Sequence, residues 1–230
     1  MDTSITLGRL AIGFIPVLFV LFLMWRAGQD VKKATVSLIR MLVQLLLVGY
    51  FLLLVFSQPS PMITLGLLMI MMVLASWLAL NVTGQRDFAL FKHALVALSL
   101  GGGSVLVVTT HGVLNITPWY NPQFLIPLAG MVFAGSMTAI SLALERFESE
   151  IQSQDYSQAV NAAFKAAMIP VVNSLLAVGV VSLPGMMTGQ ILSGVAPYIA
   201  ARYQIMVMCM IFSSTGLTVF LFLKLHCKRK

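Results

Sequence analysis

The chain is 230 residues long, 59% hydrophobic and only 9% charged, with a mean hydropathy of +0.96 and a formal net charge of +7. That much apolar surface has no home in a water-soluble core, which excludes a soluble enzyme or binding domain. Nor does the positive charge indicate nucleic acid, because the basic residues fall in short loops beside apolar runs rather than on one soluble face.

A helix needs about 20 apolar residues to cross the hydrocarbon core of a bilayer. Windows of that size predict an all-α, multi-pass transmembrane domain occupying residues 1–230, with seven spans near 7–25, 36–56, 62–80, 88–109, 124–144, 166–183 and 199–223. The first span lacks the basic head and small-residue cleavage site of a removable signal peptide and reads as a retained helix. Arg26, Lys32, Lys33 and Arg40 follow it. Arg40 and Gln44 share one helical face just inside the second span, where Arg40 either snorkels to the surface or lines a pathway. The loop at 57–61 has no Lys or Arg, whereas Arg86 and Lys92 separate spans three and four.

Gly101, Gly102 and Gly103 interrupt the fourth span, lowering helix stability but letting a neighbouring backbone approach closely, with a hinge as the alternative reading. The loop at 111–123 again carries no Lys or Arg. By the positive-inside rule the amino terminus is outside and the carboxyl terminus inside, with Arg9 and Arg202 as exceptions. Pro127, Gly130, Gly135 and Ser136 crowd the fifth span, where small residues favour close packing.

The segment at 145–165 is the one stretch resembling soluble protein, and it holds Glu145, Glu148, Glu150 and Asp155, more than half of the seven acids. Phe147, Ile151, Ala159, Ala162, Ala163 and Phe164 are spaced for an amphipathic helical connector, interrupted near 153–157. It reads either as a solvated extension of two helices or as a docking element. Asn173 and Ser174 lie midway along the sixth span, followed by Gly179, and serve as helix-to-helix glue or as pathway lining.

Residues 182–206 then pack Pro184, Gly185, Met186, Met187, Gly189, Gln190, Gly194, Pro197, Arg202 and Gln204 between apolar runs. Breakers and amides at membrane depth are tolerated only where protein or a watery cavity satisfies them, so this stretch reads as a pathway wall or gate. Cys209 falls within the last span and Cys227 in the tail, implying no disulfide framework. Lys224, Lys228, Arg229 and Lys230 close the chain.

No Asp or Glu lies within a predicted span, which disfavours an ion-driven carrier built on an intramembrane carboxylate. There is no G-x-x-x-x-G-K-[ST] phosphate loop, so any ATP-driven motor is another polypeptide. The 15 methionines are read as packing residues before soft-metal ligands, with Met186 and Met187 set apart by their place in the broken segment. His93, His111 and the His226–Cys227 pair are too scattered in sequence to indicate a metal site. A membrane hydrolase using Ser136 is a distant alternative, since its AGSM context is incomplete.

With these residues laid out, LPGMMTGQILSG at 183–194 and YQIM at 203–206 closely resemble the FetB-like permease family of ABC transporters. Supporting likeness runs through IRMLVQLLLVGY at 39–50, IPLAGMVFAGSM at 126–137 and AAMIPVVNSLLAVGVVSLPGMM at 166–187. Bacterial members are assigned to iron export and plant relatives to aluminium tolerance. The resemblance implies an inner-membrane permease subunit, working as two copies with a separate ATPase that holds the ATP and Mg²⁺. The cargo would be a metal ion or metal complex, and Glu145, Glu148 and Glu150 would lie in the coupling connector. The chain departs from the family at Ser136, in a shortened connector, and in the SQDYSQAV sequence leading into the sixth span. The reading from residues alone keeps an ATP-independent channel or carrier as the alternative.

Overall fold

The computed structural model describes residues 6–80 and 87–227, without the side chains of Leu7 and Cys227. Arg86, Lys228, Arg229 and Lys230, which carry part of the charge argument, lie outside the described residues. Among the described residues the chain is all-α, and seven helical stretches are long and apolar enough to cross a membrane: Gly8–Arg26, Val31–Ser57, Pro61–Ala79, Phe88–Val113, Pro122–Glu150, Tyr156–Ala177 and Pro197–His226. Two compact units are present, residues 1–57 and 58–230.

The first unit contains α1 (Leu7–Ile12), α2 (Phe14–Arg26) and α3 (Val31–Ser57). Gly28, at φ 70°, turns the chain between α2 and α3. The Asp30 carboxylate then accepts the Lys33 N–H at 3.0 Å, satisfying a donor at the start of α3.

The second unit contains α4 (Pro61–Ala79), α5 (Phe88–Ala97), α6 (Gly103–Val107), α7 (Pro122–Glu150), α8 (Tyr156–Ala177), α9 (Gly185–Leu192) and α10 (Pro197–Cys227). Asp87 caps α5 by accepting the Ala89 N–H, and Asn121 caps α7 by accepting the Gln123 N–H. Pro61 and Pro122 occupy first turns, where a missing N–H costs nothing. α7 is the central element. Leu128, Val132 and Phe133 on its early turns pack with Leu98, Leu106, Val207 and Met210, while Ile140 and Leu144 pack with Ala94, Ala97 and Phe222. The Ser141 hydroxyl donates to the Ala79 carbonyl at 2.8 Å, tying α7 to the end of α4.

The helix at Phe88–Val113 passes through two widened π turns, Leu98–Gly102 and Val108–Val113. The first coincides with a close backbone approach to α10. A Cβ placed on Gly101 would stand 2.7 Å from the Thr218 amide nitrogen and 2.8 Å from its Cα, and one on Gly102 would stand 2.9 Å from a Val132 methyl. Only glycine admits α10 at that distance.

α7 and α8 form a long antiparallel hairpin turned at 151–155. Its seam consists of Ala139, Ala143 and Phe147 against Ala159, Ala163 and Ala167, with Val219 and Leu223 of α10 closing the cluster. Alanines every four residues form a smooth strip on one face of each helix, so the backbones pack closely with little side-chain entropy lost.

The sixth helix differs from the sequence-based expectation of 166–183. It starts ten residues earlier, because Ser157, Gln158, Asn161 and Lys165 lower the hydropathy without interrupting a helix, and it ends at Ala177. Gly179 takes φ 84°, a left-handed conformation that terminates helices, and Val181 and Ser182 both return their N–H groups to the Ala177 carbonyl. The segment 178–184 is therefore a turn rather than the last part of a span.

Candidate functional site

α7 has 29 residues, a length of about 44 Å at 1.5 Å per residue, against roughly 30 Å of hydrocarbon. The surplus belongs at the end carrying Glu145, Glu148 and Glu150, since charge is costly within the bilayer. Setting the start of the helix at Pro122 on one face, a placement by length and composition alone, puts the opposite hydrocarbon boundary about 20 residues on, near Leu142. Neighbouring helices can be set to the same scale. A Cβ on Gly135 would lie 3.5 Å from the Thr215 hydroxyl, and one on Gly216 3.6 Å from the Met168 methyl. The boundary therefore crosses α10 near Phe222 and α8 near Ala162.

On that scale Asn173 and Ser174 lie at mid-depth, and both are exposed on the outer face of α8. The Ser174 hydroxyl satisfies itself on the Pro170 carbonyl at 2.9 Å. An amide cannot satisfy itself in this way, so Asn173 presents donor and acceptor groups outward at a depth where lipid offers no partner. Beside it a cavity of about 280 Å³ lies between α7, α8 and α10, lined by Gly135, Thr138, Pro170, Ser174, Met208 and Thr215 among others.

Ser136, one residue from this cavity, is fully buried and its hydroxyl has no hydrogen-bond partner; the hydroxyls of Thr215 and Thr218 are in the same state. Three unpaired hydroxyls in the interior of α7 and α10 cost about 1–3 kcal/mol each unless an alternative arrangement or a ligand satisfies them. Thr215 and Thr218 escape a sequence reading because threonine barely lowers span hydropathy; their three-residue spacing on one helical face is the signal that finds them.

The broken segment sits nearer the opposite surface. Pro184 precedes α9, and Thr188 of its first turn donates its hydroxyl to the Pro184 carbonyl at 3.1 Å. Met186 packs against the upper core together with Tyr203 and Met206, whereas Met187 and Gln190 are half-buried and Gly185 is exposed. Gln204 is 6% exposed, and its side-chain carbonyl, like the Tyr203 hydroxyl, is buried without a partner. The structure thus brings Met186 to the Tyr203–Met206 turn and places Ser136 apart from both. Arg40 and Gln44 are exposed on α3 in the first unit.

At the connector, Glu150 is buried and held by Arg146 and Gln154, so it braces the turn at 151–155. Glu145 is exposed and Glu148 half-buried. Three acids grouped together by sequence therefore have different surroundings. His93 and His226, distant in sequence, meet with ring centroids 6.4 Å apart, and His226 also stacks on Phe222. Their separation in sequence concealed this proximity. Among the described residues no group of three His, Cys, Asp or Glu is placed to hold a metal ion.

Residues 7–230 match the model of the family described as Uncharacterised protein family (UPF0014). A membrane protein of that family from Synechocystis sp. is 40% identical over 197 residues, covering 78% of this chain and 75% of its own. The probable iron export permease protein FetB of Escherichia coli is 31% identical over 94% of this chain and 88% of its own. Protein ALUMINUM SENSITIVE 3 of Arabidopsis thaliana is 29% identical over 76% and 68%. No solved structure matches.

Proposed function

We propose, from the premise that the chain belongs to the UPF0014 family, that it is the permease subunit of an ATP-driven exporter of iron or a related metal. The observation that carries this is the likeness to the probable iron export permease, which runs through nearly the whole chain. The α7–α8 hairpin supports it. A two-helix lever whose seam is zipped by alanines and whose tip is braced by Glu150 transmits force without bending.

In this reading two permeases pair with two copies of a separate ATPase, with the hairpin tips on the cytoplasmic side. ATP and Mg²⁺ bind the ATPases, whose closure pushes on the tips at 151–155 and rocks α7 and α8 against α10; hydrolysis resets them. The cargo pathway runs along the mid-depth face of Asn173, Ser174 and the adjoining cavity, gated by the segment from Pro184 to Pro197. Fe²⁺ prefers imidazole and carboxylate ligands. The wall described offers hydroxyl, amide and thioether groups instead, which suits an ion that keeps its water or chelate shell.

The test is transport into inverted membrane vesicles containing the permease and its ATPase. Iron accumulation that requires ATP is the expected result. Asn173→Leu should lower the rate about tenfold, a change of about 1.4 kcal/mol in the barrier, with the protein level unchanged because the position is exposed. Accumulation indifferent to ATP would favour a passive channel or carrier.

A further inference from the structure

We infer that the groove between the first turns of α8 and the last turns of α10 is a binding site for an anionic phospholipid. The groove encloses about 610 Å³, within the range of pockets that hold small molecules. Phe164, Phe220 and Leu223 form its apolar part, and Ser157, Asn161 and Lys224 its polar part.

Its division follows the membrane boundary placed above from α7, with the apolar Val160 and Leu223 one or two residues to the water side. With the boundary near Ala162 on α8 and Phe222 on α10, Phe164 and Phe220 fall on the hydrocarbon side. Ser157, Asn161 and Lys224 fall on the water side, where a lipid's phosphate and glycerol lie. An acyl chain along Phe164 and Phe220 would thus place its headgroup at Lys224.

Charge selects the kind of lipid. Among the described residues Lys224 is the one charged residue lining the groove, and its ammonium lies 5.9 Å from the centroid of the Phe220 ring, joining the polar and apolar parts. The sequence continues four residues later into Lys228, Arg229 and Lys230. A basic site at the boundary between membrane helices attracts anionic headgroups and gives zwitterionic ones no comparable gain. The position also has a consequence for movement, because a lipid here would touch both α8, which carries the hairpin, and α10, against which it packs.

The full-length protein, reconstituted in nanodiscs of phosphatidylcholine with or without phosphatidylglycerol, and native mass spectrometry after mild extraction provide the test. Retention of phosphatidylglycerol at about one per chain, in preference to phosphatidylcholine, is expected. Lys224→Gln should weaken that preference about fivefold. Asn161→Trp, which fills the groove, should displace both lipids; both positions are exposed, so folding is preserved and is checked by gel filtration. Equal retention of the two lipids by the parent protein, or retention untouched by both substitutions, would overturn the assignment. So would a photo-crosslinker at Asn161 that captures polypeptide rather than lipid.

Discussion

Gly101→Val is expected to remove almost all folded protein from the membrane, while Gly103→Ala, two residues away, leaves the yield unchanged or slightly raised. The contrast follows from what each new Cβ meets. At Gly101 it would stand 2.7 Å from the Thr218 backbone nitrogen and 2.8 Å from Thr218 Cα, whereas at Gly103 nothing lies within 4 Å. A clash with a flexible side-chain tip would relax by a rotamer change, but a clash with helical backbone requires α10 to move as a body. Overpacking in a dense interior costs about 1–3 kcal/mol even when side chains can yield, and here the cost should be at the top of that range or above. Thr218→Ala should not rescue the variant, because it leaves both backbone atoms in place. Fluorescence-detected gel filtration of each variant, normalised to total protein, gives the measurement.

Ala163→Leu is expected to separate folding from transport. Ala163 is fully buried in the seam of the α7–α8 hairpin, opposite Ala139, Ala143 and Phe147 on α7. A leucine there wedges the two helices apart at the base of the tip, at a cost of about 1–3 kcal/mol in stability. The protein should still insert, since its apolar spans are untouched. If the hairpin transmits force from an ATPase, a splayed hairpin should uncouple ATP hydrolysis from export and lower ATP-dependent transport at least tenfold per folded molecule. Gln158→Leu, on the exposed face of the same helix, is the matched control and should behave as the parent does. Equal loss in both variants would mean that the surface of the connector, rather than its rigidity, matters.

The seven crossing helices were readable from the amino acids because hydropathy over about 20 residues depends on composition alone. The run Gly101, Gly102 and Gly103 was read as a point of close approach; the structure shows close contacts at Gly101 and Gly102, while a Cβ on Gly103 would meet nothing within 4 Å. The early end of α8 was not readable. Val180 and Val181 are as apolar as any spanning residue, and hydropathy does not register the left-handed turn that Gly179 adopts. The connector was seen as a separate amphipathic piece with an interruption near 153–157; the turn lies at 151–155, and the helices on either side simply continue from the membrane. Glu145, Glu148 and Glu150 looked alike because a sequence shows charge but not burial, and only the fold turns Glu150 inward to Arg146 and Gln154. Likewise the His93–His226 contact depends on how two helices are set against each other, which no single span encodes.

The account stands or falls on whether this membrane protein works with a separate motor. Tagged permease should be purified in mild detergent from its native membranes and its companions identified by mass spectrometry. The account predicts an ATPase with a G-x-x-x-x-G-K-[ST] loop at near-equal stoichiometry, lost in Ala163→Leu or functionally uncoupled from it. Intact permease that carries no such subunit, and moves metal in vesicles without ATP, would contradict it.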